Sequence, residues 1–160
     1  MKKLTPCLWF NFNAEEAVNF YLGVFRGGRI LETSRYPDSM PELKGKVLTI
    51  RFEVEGQELL ALNGGPQFPF TEAISLAVDC ADQPEVDRLW DGLSAGGSSG
   101  QCGWLKDKFG LSWQIVPRSL TTMLKDPDAA RSARVMQAML QMKKLDIATL
   151  QRAYHNQPAA

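Results

Sequence analysis

Histidine is nearly missing from this chain. Of 160 residues, only His155 carries an imidazole, and it lies close to the C-terminal end. A histidine-rich metal centre is thereby excluded, and a cysteine nucleophile has no neighbouring base, although thiolate formation needs a base or a cation close by. The three cysteines, Cys7, Cys80 and Cys102, are odd in number and widely spaced, so they form neither a disulfide framework nor a Cys-x-x-Cys metal pattern. Sparse, unpaired cysteine points to the cytoplasm. Net charge is absent as well, with 18 Lys plus Arg against 18 Asp plus Glu. No basic footprint exists for a nucleic-acid partner. The pairs Lys2-Lys3 and Lys143-Lys144 read as solvated ends and helix-end charges. No apolar run approaches the roughly 20 residues that span a bilayer, so no membrane partner is expected. Asn11, Asn13, Glu15 and Glu16 follow the first lysines too soon for the apolar core of a secretory signal.

What the chain does contain is an internal repeat. Residues 21–28 read YLGVFRGG, and 69 residues later residues 90–97 read WDGLSAGG. Tyr21 answers Trp90, Gly23 answers Gly92, Val24 answers Leu93, and Gly27-Gly28 answers Gly96-Gly97. The same offset sets Asn13 over Asp82 and Glu16 over Glu85. Both pairs resemble a capping box, in which a short polar side chain and a Glu three residues on satisfy the first helical N–H groups. Ala17, Phe20, Tyr21 and Val24 then form an apolar stripe at helical spacing, as do Val86, Leu89, Trp90 and Leu93. The Gly-Gly pairs read as helix stops, since glycine accepts the left-handed conformation there. Each helix is preceded by a strand, at 4–12 and at 73–80. The first is followed by strands at 29–36, 46–55 and 57–63, and the second by strands at 100–106 and 112–117. Residues 46–55 alternate between an apolar and a polar face.

From residue 118 the pattern changes. Asp126-Pro127 suggests a helix start with Pro at its first position, running to about Met142, with Met136, Met139 and Leu140 on one face. Asp146 caps a last helix through Tyr154. The expected class is α+β: tandem βαβββ modules over 1–117 (about 1–68 and 70–117) and a helical extension over 118–160.

Paired βαβββ halves with an aromatic-bearing helix resemble the vicinal oxygen chelate superfamily, which includes glyoxalase I, extradiol dioxygenases and bleomycin-resistance proteins. Residues 107–113, DKFGLSW, are similar to its Asp-Pro-Phe-Gly turn before the final strand, and Phe20-Tyr21 to the Phe-Tyr of its first helix. TPCLWF at 5–10, LALNGG at 60–65, QCGWLKDKFGLSWQ at 101–114 and VMQAMLQMKKLDIATLQRAY at 135–154 resemble the PhnB-like branch, whose members are often labelled demethylubiquinone methyltransferases. The resemblance implies a curved mixed sheet enclosing a cavity, and a homodimer with exchanged modules or shared sheets. It also implies a divalent metal held by His, Glu or Gln from both halves. At the corresponding positions this chain has Pro6, Cys7 and Leu8, Asn63, Ala73 and Ser75, and finally Gln114, the only plausible inherited ligand. One amide oxygen does not make a site that needs about three protein ligands, so neither a metal nor another cofactor is expected. Methyl transfer also fits poorly, because no Gly-x-Gly turn precedes either helix.

The candidate pocket residues are Trp9, Asn63, Trp104 and Gln114. Trp9, Trp104 and Trp113, with Phe68 and Phe70, line an apolar ligand pocket or else pack the core or a dimer contact. Asn63 presents its amide to a ligand or bonds the local backbone. Arg51 and Glu53 face a cavity or form a cross-strand pair at the surface. Cys102, two residues from Trp104 and four from Lys106, reads as a buried inert thiol. The expected function is metal-independent binding of a small molecule. The alternatives are a metal-assisted enzyme built around Gln114, with Glu53 as a further candidate ligand, and a dimeric structural or regulatory module whose cavity is filled by its own side chains.

Overall fold

The alternating tract becomes the centre of the first sheet. In the computed structural model, which describes residues 2–158, the chain divides into two compact units, Met1–Phe70 and Thr71–Ala160. The first unit contains β1 (Cys7–Phe10), α1 (Ala14–Val24), β2 (Gly28–Arg35), β3 (Val47–Val54) and β4 (Gln57–Asn63). Its strand order is β1-β4-β3-β2, with β1 parallel to β4 and the other pairs antiparallel. Leu8, Phe10, Ile50, Phe52, Leu59 and Ala61 form the buried face, against which α1 sets Ala14, Ala17, Val18 and Tyr21. Tyr21 stacks on Phe52. The alternation of β3 holds from Thr49 to Val54 and slips at Val47, which is buried, because the β2–β3 pairing shifts register between Ser34 and Arg35.

The second unit repeats the plan with β5 (Ser75–Cys80), α2 (Gln83–Ser94), β6 (Ser98–Ser99), β7 (Trp104–Lys106) and β8 (Ser112–Pro117), in the order β5-β8-β7-β6. Again the first and last strands are parallel. Val86, Leu89, Trp90 and Leu93 of α2 share the core with Leu105, Trp113 and Ile115. Three helices follow: α3 (Arg118–Leu124), α4 (Ala129–Leu140) and α5 (Ile147–Tyr154). They enclose their own core of Leu120, Met123, Val135, Leu145 and Leu150. The extension is tied to the unit by the Cys102 N–H on the Met142 carbonyl and the Gly103 N–H on the Lys143 carbonyl. The Gln83 side chain adds two bonds, to the Leu145 carbonyl and from the Ile147 N–H. The fold is thus α+β, two βαβββ modules followed by helices.

Several local expectations are corrected. The strand predicted for 4–12 is limited to Cys7–Phe10, and Cys102 lies in a turn with φ +57°, outside any strand. Helix α3 had no signal of its own. Helix α4 is capped by Asp128, whose carboxylate accepts the Ala130 and Arg131 N–H groups, rather than by Asp126. On α4, Met139 packs on the helical core beside Val135, while Met136 and Leu140 are exposed. Asn13 makes no side-chain cap bond, and the first N–H of α1 goes elsewhere, as described below.

The Gly-Gly pairs also act differently from the expected helix stops. Only Gly96 has a left-handed φ, at +74°. Gly28 and Gly97, equivalent in the repeat, are required by close approach. A Cβ at Gly28 would stand 2.9 Å from the Glu53 carbonyl oxygen, and one at Gly97 only 2.1 Å from that of Lys106. Gly97→Ala should therefore cost about 1–3 kcal/mol, because backbone rather than a pliable side chain must yield. Gly27→Ala meets nothing nearer than the Glu55 carboxylate at 3.6 Å and should stay within about 0.5 kcal/mol. Urea unfolding of the two variants checks the contrast. Equal losses would show that the close approach is not what selects glycine.

Candidate functional site

Residues paired across a sheet point to the same side, so the registers define what lies opposite the helix. In the first sheet, Thr49 pairs with Leu62 and Leu62 with Trp9, and the next row runs Arg51, Leu60, Cys7. Glu32 joins the second row opposite Arg51, and Ser34 the first opposite Thr49. The Ser34 and Thr49 hydroxyls share a hydrogen bond of 2.6 Å. A recess of about 310 Å³ opens on this face, lined by Glu32, Thr49, Arg51 and Leu60.

Arg51 dominates the recess. Its Nη2 lies 3.0 Å from a Glu32 carboxylate oxygen, and its Nη1 lies 3.5 Å from Glu58. The Arg51 side chain is 24% exposed, Glu58 8% and Glu32 66%. Arg51 Nε is buried with no hydrogen-bond partner. Glu53 pairs with Arg29 at 3.7 Å. Of the two readings offered for Arg51 and Glu53, Arg51 fulfils both, lining a recess and forming cross-strand pairs, while Glu53 is paired at the surface. Glu32 and Glu58 escaped sequence reasoning. Their signal was a charge on the same face of each neighbouring strand, readable only once the register is known.

The four predicted pocket residues separate. Trp9 lies on the open face, where its indole N–H donates to the Gly65 carbonyl at 2.8 Å and its ring meets Phe68 edge-on. Gly64 forms the seat for that indole, since a Cβ there would lie 2.3 Å from the ring. Asn63 lies on the opposite, helix-facing side, paired with Phe10. Its Oδ1 accepts the Ala14 N–H at 2.9 Å, and its Nδ2 donates to Glu15 at 2.9 Å and to the Val47 carbonyl at 3.0 Å. The amide is fully engaged in closing α1 onto the sheet. In the second unit, Trp104 and Gln114 are direct cross-strand partners, with Ala77 beyond. Gln114 Nε2 donates to Ser75 Oγ at 2.9 Å. Trp113 and Trp90 are core residues. The Asp-Lys-Phe-Gly turn is built around Asp107, whose buried carboxylate accepts the Phe109 and Leu111 N–H groups and the Trp113 indole N–H.

Two of the three thiols are held in the protonated form by burial. Burial, with Glu85 and Asp79 adding to it, pushes the Cys80 thiol up to about 12. Burial also raises Cys7. His155 ends α5, edge-on to Tyr154, beside a second recess of about 370 Å³ lined also by Ser119, Thr122, Met123, Asp126 and Gln151. There the Tyr154 hydroxyl, then the Asp128 N–H, hold the Asp126 carboxyl below its ordinary range. Among the described residues, no three His, Cys, Asp or Glu side chains are grouped to hold a metal ion. With the Asn63 amide oxygen taken by the Ala14 N–H and no such group to join the Gln114 amide oxygen, the donor set does not fit the superfamily's metal. No helix among the described residues is long and apolar enough to cross a membrane.

A family model described as 3-demethylubiquinone-9 3-methyltransferase matches residues 2–116. Among solved structures, the PhnB protein from Bacillus cereus, described as a 3-demethylubiquinone-9 3-methyltransferase, is 34% identical with a TM-score of 0.66. The alignment covers 72% of this chain and 99% of that one. Protein PA1353 from Pseudomonas aeruginosa, 24% identical with a TM-score of 0.61, shares the fold over 73% of this chain and 98% of its own. No curated protein matches. The family match ends just before α3, so the three C-terminal helices lie beyond it.

Proposed function

The chain belongs to the 3-demethylubiquinone-9 3-methyltransferase family, in its PhnB-like branch, and from that premise we propose that it binds a small molecule without a metal and does not transfer methyl groups. The recess beside Arg51 carries this reading. One guanidinium stands in a row with Leu60 and Cys7, next to the row of Leu62 and Trp9. The recess itself is lined by Glu32, Thr49, Arg51 and Leu60, and fixed polar groups beside apolar surface are what orient a ligand in a small-molecule site. Trp104 and Gln114, side by side on the second sheet, are further candidates for ligand contact.

The methyl donor implied by the family's description, S-adenosylmethionine, finds no fitting cradle. Binding of that kind commonly uses a glycine-rich turn and a free helix N-terminus beside parallel strands. Here each sheet has a single parallel pair. The Asn63 amide occupies the start of α1, and the Asp82 carboxylate accepts the Glu85 N–H at the start of α2. Self-association into a homodimer and a cytoplasmic setting belong to the same proposal. The former is supported by exposed Ile30, Phe68, Ile74 and Leu140, and the latter by three free cysteines.

The test is thermal unfolding and calorimetric titration of the full chain. The titrants are a panel of neutral, cationic and anionic aromatic and aliphatic compounds, together with S-adenosylmethionine and Zn²⁺, Ni²⁺ and Mn²⁺. At least one panel compound should stabilise the fold, by about 2.7 kcal/mol at a hundredfold excess over its Kd. S-adenosylmethionine and the metals should leave the unfolding curve unchanged. Stoichiometric binding of the methyl donor or of a metal, or failure of the whole panel, refutes the proposal.

A further inference from the structure

Building on the binding role proposed above, we infer that the ligand carries a carboxylate on an apolar or aromatic skeleton, and that Glu32 occupies the carboxylate's place until the ligand arrives. The argument rests on the edges of the Arg51 guanidinium. Nε–H and one Nη2–H lie side by side, the arrangement that receives a carboxylate through two parallel hydrogen bonds. Here that edge is half used. Glu32 reaches Nη2 at 3.0 Å, while Nε is buried without a partner. A buried donor left unmade is costly, and native structures seldom retain one without a use.

The two glutamates around Arg51 differ in kind. Glu58, 8% exposed, lies on the Nη1 side and backs the guanidinium from within the sheet. Glu32, 66% exposed, belongs to the edge strand β2, next to the register shift between Ile30 and Glu32. An exposed ion pair of this sort adds little to stability, so its displacement is cheap. An incoming carboxylate takes the place of Glu32 at the guanidinium, and the Glu32 carboxylate, 66% exposed, turns out into water, where its charge is screened. The ligand gains the Nε bond that Glu32 does not make. The remainder of such a ligand meets Leu60 in the same row and Leu62 and Trp9 in the next, which is why an apolar or aromatic skeleton is assigned.

The experiment titrates the full chain with 2-naphthoate, benzoate and octanoate, and with the matching amides, by calorimetry at low and high salt. The carboxylates should bind and the amides should bind at least tenfold more weakly, with carboxylate affinity falling as salt rises. E32Q should tighten carboxylate binding about threefold or more by removing the competitor. R51K keeps the charge and loses the paired donors, and it should weaken carboxylate binding at least tenfold. Both variants are first checked for an unchanged ligand-free unfolding midpoint, which exposed Glu32 makes safe for E32Q if R51K proves unstable. Amides that bind as well as the acids, or E32Q without effect on the acids, overturn the carboxylate assignment. If neutral or cationic compounds of the wider panel bind while carboxylates do not, the assignment fails and small-molecule binding stands. If no compound of any class binds, both fail.

Discussion

Replacing Asp107 by alanine is expected to lower stability by about 3–5 kcal/mol, the largest loss of any single substitution considered for this chain. Asp107 is 3% exposed. One oxygen accepts the Phe109 N–H at 2.9 Å and the Leu111 N–H at 3.1 Å, and the other accepts the Trp113 indole N–H at 2.9 Å. Alanine strands three donors, each worth about 1–3 kcal/mol when buried and unmet, less whatever water can reach. Gly110, at φ +89°, then loses the frame that holds the turn. Asp107→Asn is the sharper control. It keeps one acceptor but turns an amide N–H₂ toward either the backbone donors or the indole N–H, so its loss should fall between wild type and alanine. Urea unfolding followed by tryptophan fluorescence measures both, with the slope unchanged if the unfolded state is unaffected. A loss under about 1 kcal/mol for alanine would mean that the turn stands without its carboxylate.

Asn63→Ala should cost about 2–4 kcal/mol, roughly 2–4 °C of Tm per kcal/mol at this chain length. The substitution leaves the Ala14 N–H and the Val47 carbonyl unmet inside the fold and removes the partner of Glu15. Asn63→Asp should be at least as damaging, since it keeps the acceptor for Ala14 but sets a carboxylate against Glu15 and the Val47 carbonyl oxygen. Asn13→Ala, at the position where local sequence places the cap, should change stability by no more than about 0.5 kcal/mol, because Asn13 makes no side-chain cap bond. The pair of results separates a builder from a binder. If Asn63→Ala leaves the unfolding midpoint in place but abolishes ligand binding, Asn63 is a contact residue and the capping role is wrong.

Both predictions concern motifs that resemble a functional signature. LALNGG at 60–65 supplies the Asn63 cap, and Gly64 beneath the Trp9 indole. DKFG at 107–110 supplies a turn closed on its own carboxylate. In both motifs the polar side chain is consumed by the fold: Asn63, offered by sequence as a pocket residue, and Asp107, the first residue of the turn. The recess, in contrast, gathers Glu32, Thr49 and Arg51 from two neighbouring strands, and no short motif contains them together.

The caps show where legibility ends. Asp82 and Asp146 do what their local sequence announces, accepting N–H groups three residues ahead. That interaction is complete within one turn of chain. The α1 cap comes from Asn63, 49 residues from Ala14, and no local pattern can report it. Gly28 and Gly97 are visible in the repeat, yet their reason is the nearness of a carbonyl on another strand.

By itself, then, the sequence determined the two modules, their duplicated helix stripes and the alternation of β3 from Thr49 to Val54, because periodicity and short-range capping act between residues a few positions apart. Tertiary structure alone decided which polar side chains are spent on the fold and which remain available. Strand register sets the partners, and register depends on pairings between segments far apart in the chain. Asn63 is spent for that reason, and for the same reason Arg51 lines an open recess with its Nε buried and unpaired.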